Sequence, residues 1–303
     1  MVLALALAQW PPRHLSPRWL RDMSALRTME TSTKQYQERS MPFAKVNGQR
    51  IHYEDTGGGG PAILFSHGLL MDGSMFAAQV QALRDRYRCI TWDERGHGQT
   101  ATGTCAPFTY YDSADDAVAL LRHLGIARAV FAGMSQGGYL SLRAALRHPE
   151  AVRALVLMDT QAMPEDPAQM KDHQFLVQQW LQDGLSDEAA HVIEHIILGP
   201  GWAGAPAWRA RWKKVHPGDL LACFTTLGSR DDISVELGRI AVPALVIHGD
   251  ADRAIGLERA QAMAAALPQA RMVVVPNAGH AANLTHPDPV NAALEAFLAQ
   301  LPA

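Results

Sequence analysis

The chain has 303 residues, enough for one large domain or two small ones with a packed core. Apolar residues make up 48% and charged residues 19%, which excludes a low-complexity or disordered chain. A formal charge of −3, from 27 basic and 30 acidic residues, carries neither the basic excess of a nucleic-acid binder nor an acidic tail, and no apolar run reaches a membrane span.

The chain opens on MVLALALA (residues 1–8), which ends in Ala-Leu-Ala like a cleavage site. The stretch is at the short limit for a secretory signal and lacks a basic lead-in. Prolines and scattered arginines follow without a sustained period. Residues 1–40 are therefore read as an extension outside the domain, expected to be poorly ordered, and a cytoplasmic location is the expectation. Organised patterning starts at Met41-Pro42, which places the domain at 41–303 and makes Met41 a candidate translation start. Cys89, Cys105 and Cys223 are odd in number and scattered, as reduced thiols are, and form neither a disulfide framework nor a zinc pattern.

From Phe43, two alternating runs flank Asn47-Gly48, a strong hairpin signal. PAILFSHG follows as an unbroken apolar strand of the kind buried in a parallel sheet. A helical stretch over Met75–Leu83 leads to the strand YRCITWD. The rhythm then repeats. SADDAVALLRHLGI reads as a helix with Ser113 as N-cap and Gly125 as its stop. ARAVFAG is a strand, QGGYLSLRAALRHP a helix closed by Pro149, and VRALVLMD a strand. Later VPALVIHGD and ARMVVVPNAG are strands, each followed by a helix, LERAQAMAAALP and PDPVNAALEAFLAQL. This alternation predicts an α/β fold with a mainly parallel sheet. The stretch from about Thr160 to Ile240 breaks the rhythm. It is helical in pattern and holds Trp180, Trp202, Trp208 and Trp212. It is read as a helical lid over the strand C-termini, where ligands bind in open α/β sheets.

Gly133-Met134-Ser135-Gln136-Gly137 matches Gly-x-Ser-x-Gly. Composition alone produces such a match in roughly one chain in ten of this length, so context is the test. Here a strand precedes the serine and a helix follows it, as a nucleophile elbow requires. Small residues at 133 and 137 relieve the crowding of a tight strand-to-helix turn. The backbone N–H of Gln136 then lies at a helix N-terminus, suited to an oxyanion. The base is sought after the last strand, where VVVPNAGHAAN offers His280 behind a small Ala-Gly pair. The acid is sought one strand earlier, in VIHGDADRAI. Asp250 falls near the strand end, where it would cap the turn, while Asp252 can reach the histidine loop and is preferred. Asp159, in VLMDT, is the fallback. The second oxyanion donor is assigned to the N–H of Leu69 in His67-Gly68-Leu69, with His67 holding that loop through its imidazole.

These elements together resemble the α/β-hydrolase superfamily from residue 42 to the C-terminus. The resemblance rests on the His-Gly loop, the turn Asp93-Glu94-Arg95-Gly96-His97-Gly98-Gln99-Thr100, the elbow, GDADR and the final AGH, in the order Ser135, Asp252, His280. Within it the chain is similar to 3-oxoadipate enol-lactonases and related small esterases, through WDERGHGQT, VLMDT, a lid ending in RDDI before IAVPALVIHGDAD, and AGHAANLTHP. No carboxylate-binding residue is identifiable in the lid stretch. The resemblance implies an α/β-hydrolase fold: a mostly parallel eight-stranded sheet flanked by helices, with an inserted lid. It also implies that DERGHGQT is mainly structural, so Asp93 and His97 are given no catalytic role. A serine at the elbow indicates acyl chemistry rather than the carboxylate displacement of dehalogenases and epoxide hydrolases. The expected function is cofactor-free, metal-free hydrolysis of a small-molecule carboxylic ester or lactone, with no nucleic-acid or membrane partner. Perhydrolysis, carbon–carbon bond hydrolysis and non-catalytic ligand binding by the same scaffold stand as alternatives.

Overall fold

A computed structural model describes residues 42–302. The extension expected over 1–40, its signal-like start and Met41 lie outside the described residues. Eight strands form one sheet: β1 (Phe43–Val46), β2 (Gln49–Asp55), β3 (Ala62–Ser66), β4 (Arg88–Trp92), β5 (Ala129–Met134), β6 (Val152–Met158), β7 (Ala244–Gly249) and β8 (Ala270–Val275). Their order across the sheet is β1-β2-β4-β3-β5-β6-β7-β8. β2 runs antiparallel to β1 and β4, and every other neighbouring pair is parallel. This is the α/β-hydrolase architecture. In the β1–β2 hairpin, Asn47 and Gly48 both take positive φ (47° and 77°), the primed-turn geometry that their sequence encodes.

The central strands β3, β5 and β7 are buried along their whole length, because helices cover both faces of the sheet. The covering helices are α1 (Ala77–Leu83), α2 (Tyr110–His123), α3 (Gln136–Arg147), α8 (Leu257–Ala266), α9 (Ala282–Thr285) and α10 (Pro287–Leu298). Between β6 and β7 the chain leaves the sheet for α4 (Pro167–Asp183), α5 (Asp187–Ile197), α6 (Ala205–Trp212) and α7 (Pro217–Gly228). Gly184, at φ 81°, separates α4 from α5. Among the described residues, no helix is long and apolar enough to cross a membrane.

Two local expectations need correction. The second helix does not start at Ser113. Thr109 caps it three residues into a capping box with Asp112, and Ser113 lies inside the first turns with its hydroxyl on the Thr109 carbonyl. The stretch expected as one helix over Met75–Leu83 begins as a 3₁₀ turn (Gly73–Phe76), because Asp72 caps that tighter turn through the Ser74 N–H before α1 starts.

Candidate active site

Ser135 stands between β5 and α3 at φ 52°, ψ −116°, a backbone conformation that costs an L-residue about 1–3 kcal/mol. Surrounding hydrogen bonds hold it there. Its N–H donates to the Met158 carbonyl, and its own carbonyl accepts from the N–H groups of Gly138 and Tyr139 and from the Thr160 hydroxyl. The flanking glycines are required by close approach. A Cβ on Gly133 would lie 2.0 Å from the Gly137 carbonyl oxygen, and one on Gly137 would lie 1.9 Å from that of Ser66. The elbow is therefore jammed against the end of β3 as well as against itself.

The loops after β7 and β8 bring two further side chains to this point. The Ser135 hydroxyl lies 2.9 Å from His280 Nε2, and His280 Nδ1 lies 2.8 Å from Asp252 Oδ2. The carboxylate has no proton to give, so Nδ1–H donates to it and Nε2 is left to accept from the serine. Asp252 is held in turn, with Oδ1 accepting from the N–H groups of Ala254 and Ile255. Burial disfavours both charges, but each partner's charge outweighs it. The Asp252 pKa lies below the ordinary carboxylate value and the His280 pKa above the ordinary imidazole value, with Asp159 and Glu165 adding to the latter.

The other acids do different work. Asp250 Oδ1 accepts from the Asn277 N–H and closes its turn. Asp159 is fully buried and makes no hydrogen bond to His280. Its two oxygens accept from the N–H groups of Gly249 and Ala282, tying the end of β7 to the segment just past the histidine. Burial, then the neighbouring Asp252 charge, push its pKa well up. Asp159, His248 and Asp252 have the residue types of a metal site and lie close enough together for one. However, all four carboxylate oxygens accept from N–H groups, and the His248 Nε2–H donates to the Ile255 carbonyl, so the trio is built as a hydrogen-bonded brace.

On the other side of Ser135, a Cβ on Gly68 would run into Met134 Sδ at 2.5 Å and Ser135 Cβ at 3.5 Å, which shows how closely that loop passes the serine. Among the described residues, the N–H groups of Leu69 and Gln136 donate to no protein acceptor. His67 bonds the Gly68 carbonyl through Nδ1–H and accepts the Glu94 N–H on Nε2. Burial keeps its pKa low, so it is neutral as this pattern requires.

The model for the alpha/beta hydrolase fold matches residues 61–192, and a second, for TAP-like proteins, matches residues 219–302. A Caulobacter sp. (strain K31) protein with the provisional name carbamate hydrolase RutD is 31% identical over 79% of this chain and 93% of its own length. The chain belongs to the alpha/beta hydrolase fold family. The hydrolase is also 26% identical to 3-oxoadipate enol-lactonase 2 of Acinetobacter baylyi, over 78% of this chain and 88% of that one. Among solved structures, the enol-lactonase of Burkholderia xenovorans LB400 superposes with a TM-score of 0.79 at 28% identity, covering 86% of this chain and all of that one. An esterase of Thermogutta terrifontis gives 0.77 at 27% identity, over 86% and 98%.

Three features of this hydrolase's site are decided by packing that the sequence leaves open. Glu94 braces both loops around Ser135, through its N–H to His67 and its carboxyl to the Gln136 side-chain amide at 2.6 Å. Its pKa is pushed up to about 8, chiefly by burial, so it is held protonated at neutral pH. The tryptophans of the insertion divide. Trp208 and Trp212 are buried packing residues, Trp212 with its indole N–H on the Leu70 carbonyl, and Trp180 alone of the four reaches the cavity above Ser135. Met134 is both buried and cavity-lining. Motif position suggests Met134 as a buried or pocket-side neighbour and leaves the tryptophans divided between wall and packing; the outcome in each case depends on what the fold packs against the side chain.

Proposed function

We propose that the chain is a serine hydrolase that cleaves small-molecule carboxylic esters or lactones through an acyl-enzyme. The observation that carries this reading is the unbroken hydrogen-bonded chain Ser135–His280–Asp252, at 2.9 and 2.8 Å. His280 Nε2 takes the proton of Ser135 Oγ as that oxygen attacks the carbonyl carbon. The developing oxyanion meets the N–H groups of Leu69 and Gln136, worth roughly 3 kcal/mol per donor in comparable sites. Asp252 holds the imidazole in the right tautomer and stabilises the imidazolium. The imidazolium then protonates the leaving oxygen, and water, deprotonated by His280, releases the acid. No step needs a cofactor. The likeness to enol-lactonases and esterases supports this chemistry.

Helices α4, α5 and α7 supply most of the remaining wall above Ser135 and are proposed to act as the lid, enclosing a largely apolar cavity of about 110 Å³. The test is turnover of a 4-nitrophenyl ester by wild type and Ser135→Ala, with fluorophosphonate labelling in parallel. Wild type turns over and labels at Ser135, and the variant does neither. Ester turnover that survives in the variant overturns the proposal.

A further inference from the structure

The cavity above Ser135 carries one acidic side chain, Glu165, on its wall. Its wall is built mainly from the apolar side chains of the inserted helices, among them Leu176, Val177, Ile193 and Phe224. Among the described residues, no lysine or arginine lines it, and its ionisable members besides His280 are Tyr139, Glu165 and His173. Glu165 is anchored. Its Oε1 accepts from Arg230 Nη1 at 2.7 Å, with the two side chains only 9% and 1% exposed. Arg230 is held behind it by the Leu227 and Met163 carbonyls and lies 4.1 Å from the centre of the Tyr139 ring, off the cavity wall. The guanidinium is thus turned inward, and the carboxylate is the charged face presented to the cavity. Its field reaches His280, where it adds to that of Asp252.

A carboxylate-bearing substrate would bring a second carboxylate into an apolar cavity that has no lysine or arginine on its wall. We propose that Glu165 is a specificity determinant, set on the wall by Arg230, which makes the site select uncharged acyl groups and reject those ending in a carboxylate. This rests on the ester-hydrolase reading above. It also separates the chain from the substrate in its enol-lactonase relatives' name, since 3-oxoadipate enol-lactone keeps a free carboxylate.

The experiment compares two esters of equal length that differ in charge, methyl 4-nitrophenyl adipate and 4-nitrophenyl hydrogen adipate, each corrected for buffer hydrolysis. Wild type is expected to favour the neutral ester at least about a hundredfold in kcat/KM. Glu165→Gln leaves Arg230 as an uncompensated cation beside the cavity, and the preference falls at least about tenfold. Equal use of the two esters by wild type, within about threefold, overturns the proposal, as does an unchanged preference in the folded variant. Should Glu165→Gln fail to fold, the double variant Glu165→Gln/Arg230→Met removes both charges together, and a preference unchanged from wild type there again overturns it. Failure of wild type to cleave either ester, or cleavage that survives Ser135→Ala, instead sinks the underlying hydrolase reading and this proposal with it.

Discussion

Replacing Asp252 by asparagine tests the proposed division of labour among the three acids. Asp252 serves two sets of donors at once, Oδ2 for His280 Nδ1–H and Oδ1 for the N–H groups of Ala254 and Ile255. An asparagine has one acceptor oxygen. Turned toward His280, its NH₂ group faces two N–H donors; turned toward the backbone, it forces His280 into the tautomer with the proton on Nε2, which cannot accept from Ser135. The stabilisation of the imidazolium is lost in either case. With charge centres about 4 Å apart and an effective dielectric constant near 20, that is about 4 kcal/mol, or about a thousandfold in kcat/KM. Asp250→Asn keeps an acceptor for the Asn277 N–H and should stay within about fivefold of wild type. Asp159→Asn can serve only one of its two backbone donors, so it should lower stability by about 1–3 kcal/mol with a smaller effect on turnover than Asp252→Asn. The assay is kcat/KM on a 4-nitrophenyl ester, with thermal melts to confirm folding. An Asp252→Asn variant within tenfold of wild type, or a larger turnover loss in Asp250→Asn, would refute the assignment.

The pH profile follows from His280. It must be neutral to take the serine proton, and its pKa is raised above 6.5, so the acid limb of kcat/KM should have its midpoint above pH 6.5; a midpoint below that value contradicts the coupling to Asp252. Glu94 gives a stability signature. Its folded pKa of about 8 lies above the ordinary 4.5, so its contribution is fully present below pH 4.5 and is lost as pH rises through 8. Glu94→Gln removes that titration, and urea unfolding should show the variant gaining on wild type by about 1.4 kcal/mol per pH unit across the window, whereas parallel curves would remove Glu94 as a buried acid. A pair of glycines separates close approach from backbone conformation. Gly137→Ala drives a Cβ onto the Ser66 carbonyl and should cost about 3 kcal/mol or more, while Gly184→Ala, at φ 81° with nothing within 4 Å, should cost about 1–2 kcal/mol in the same melts; equal costs would contradict the jammed elbow.

The parts of the fold that sequence exposes are those where the requirement is local. Asn47-Gly48 encodes its own turn, and unbroken apolar runs encode strands covered on both faces. The elbow is legible because a tight strand–serine–helix junction needs glycines at fixed offsets, and His280 and Asp252 because the topology sends the last two strand ends to the same edge of the site. The misassigned helix start shows the limit. Thr109 and Ser113 are both good caps, and the choice depends on whether Tyr110 is buried, which the packing of Tyr139 against its ring decides.

What sequence does not expose is the set of charges that shape the site from a distance. Glu165 and Arg230 are 65 positions apart, and neither sits in a motif, yet their pairing decides which charge faces the cavity. Glu94 does sit in a recognisable turn, but its burial, and hence its proton, comes from distant parts of the chain packed around it, Gln136 among them. That gives the turn a consequence for catalysis beyond structure. With Glu94 protonated, the two loops proposed to bind the oxyanion are joined through a neutral residue, so their amide dipoles do not compete with a fixed negative charge close by. Ionisation of Glu94 would place that charge beside Gln136 and oppose the same oxyanion. Turnover of wild type should therefore fall as pH rises through about 8, where Glu94 ionises in the folded enzyme and its contribution to stability levels off, and that fall should be absent in Glu94→Gln.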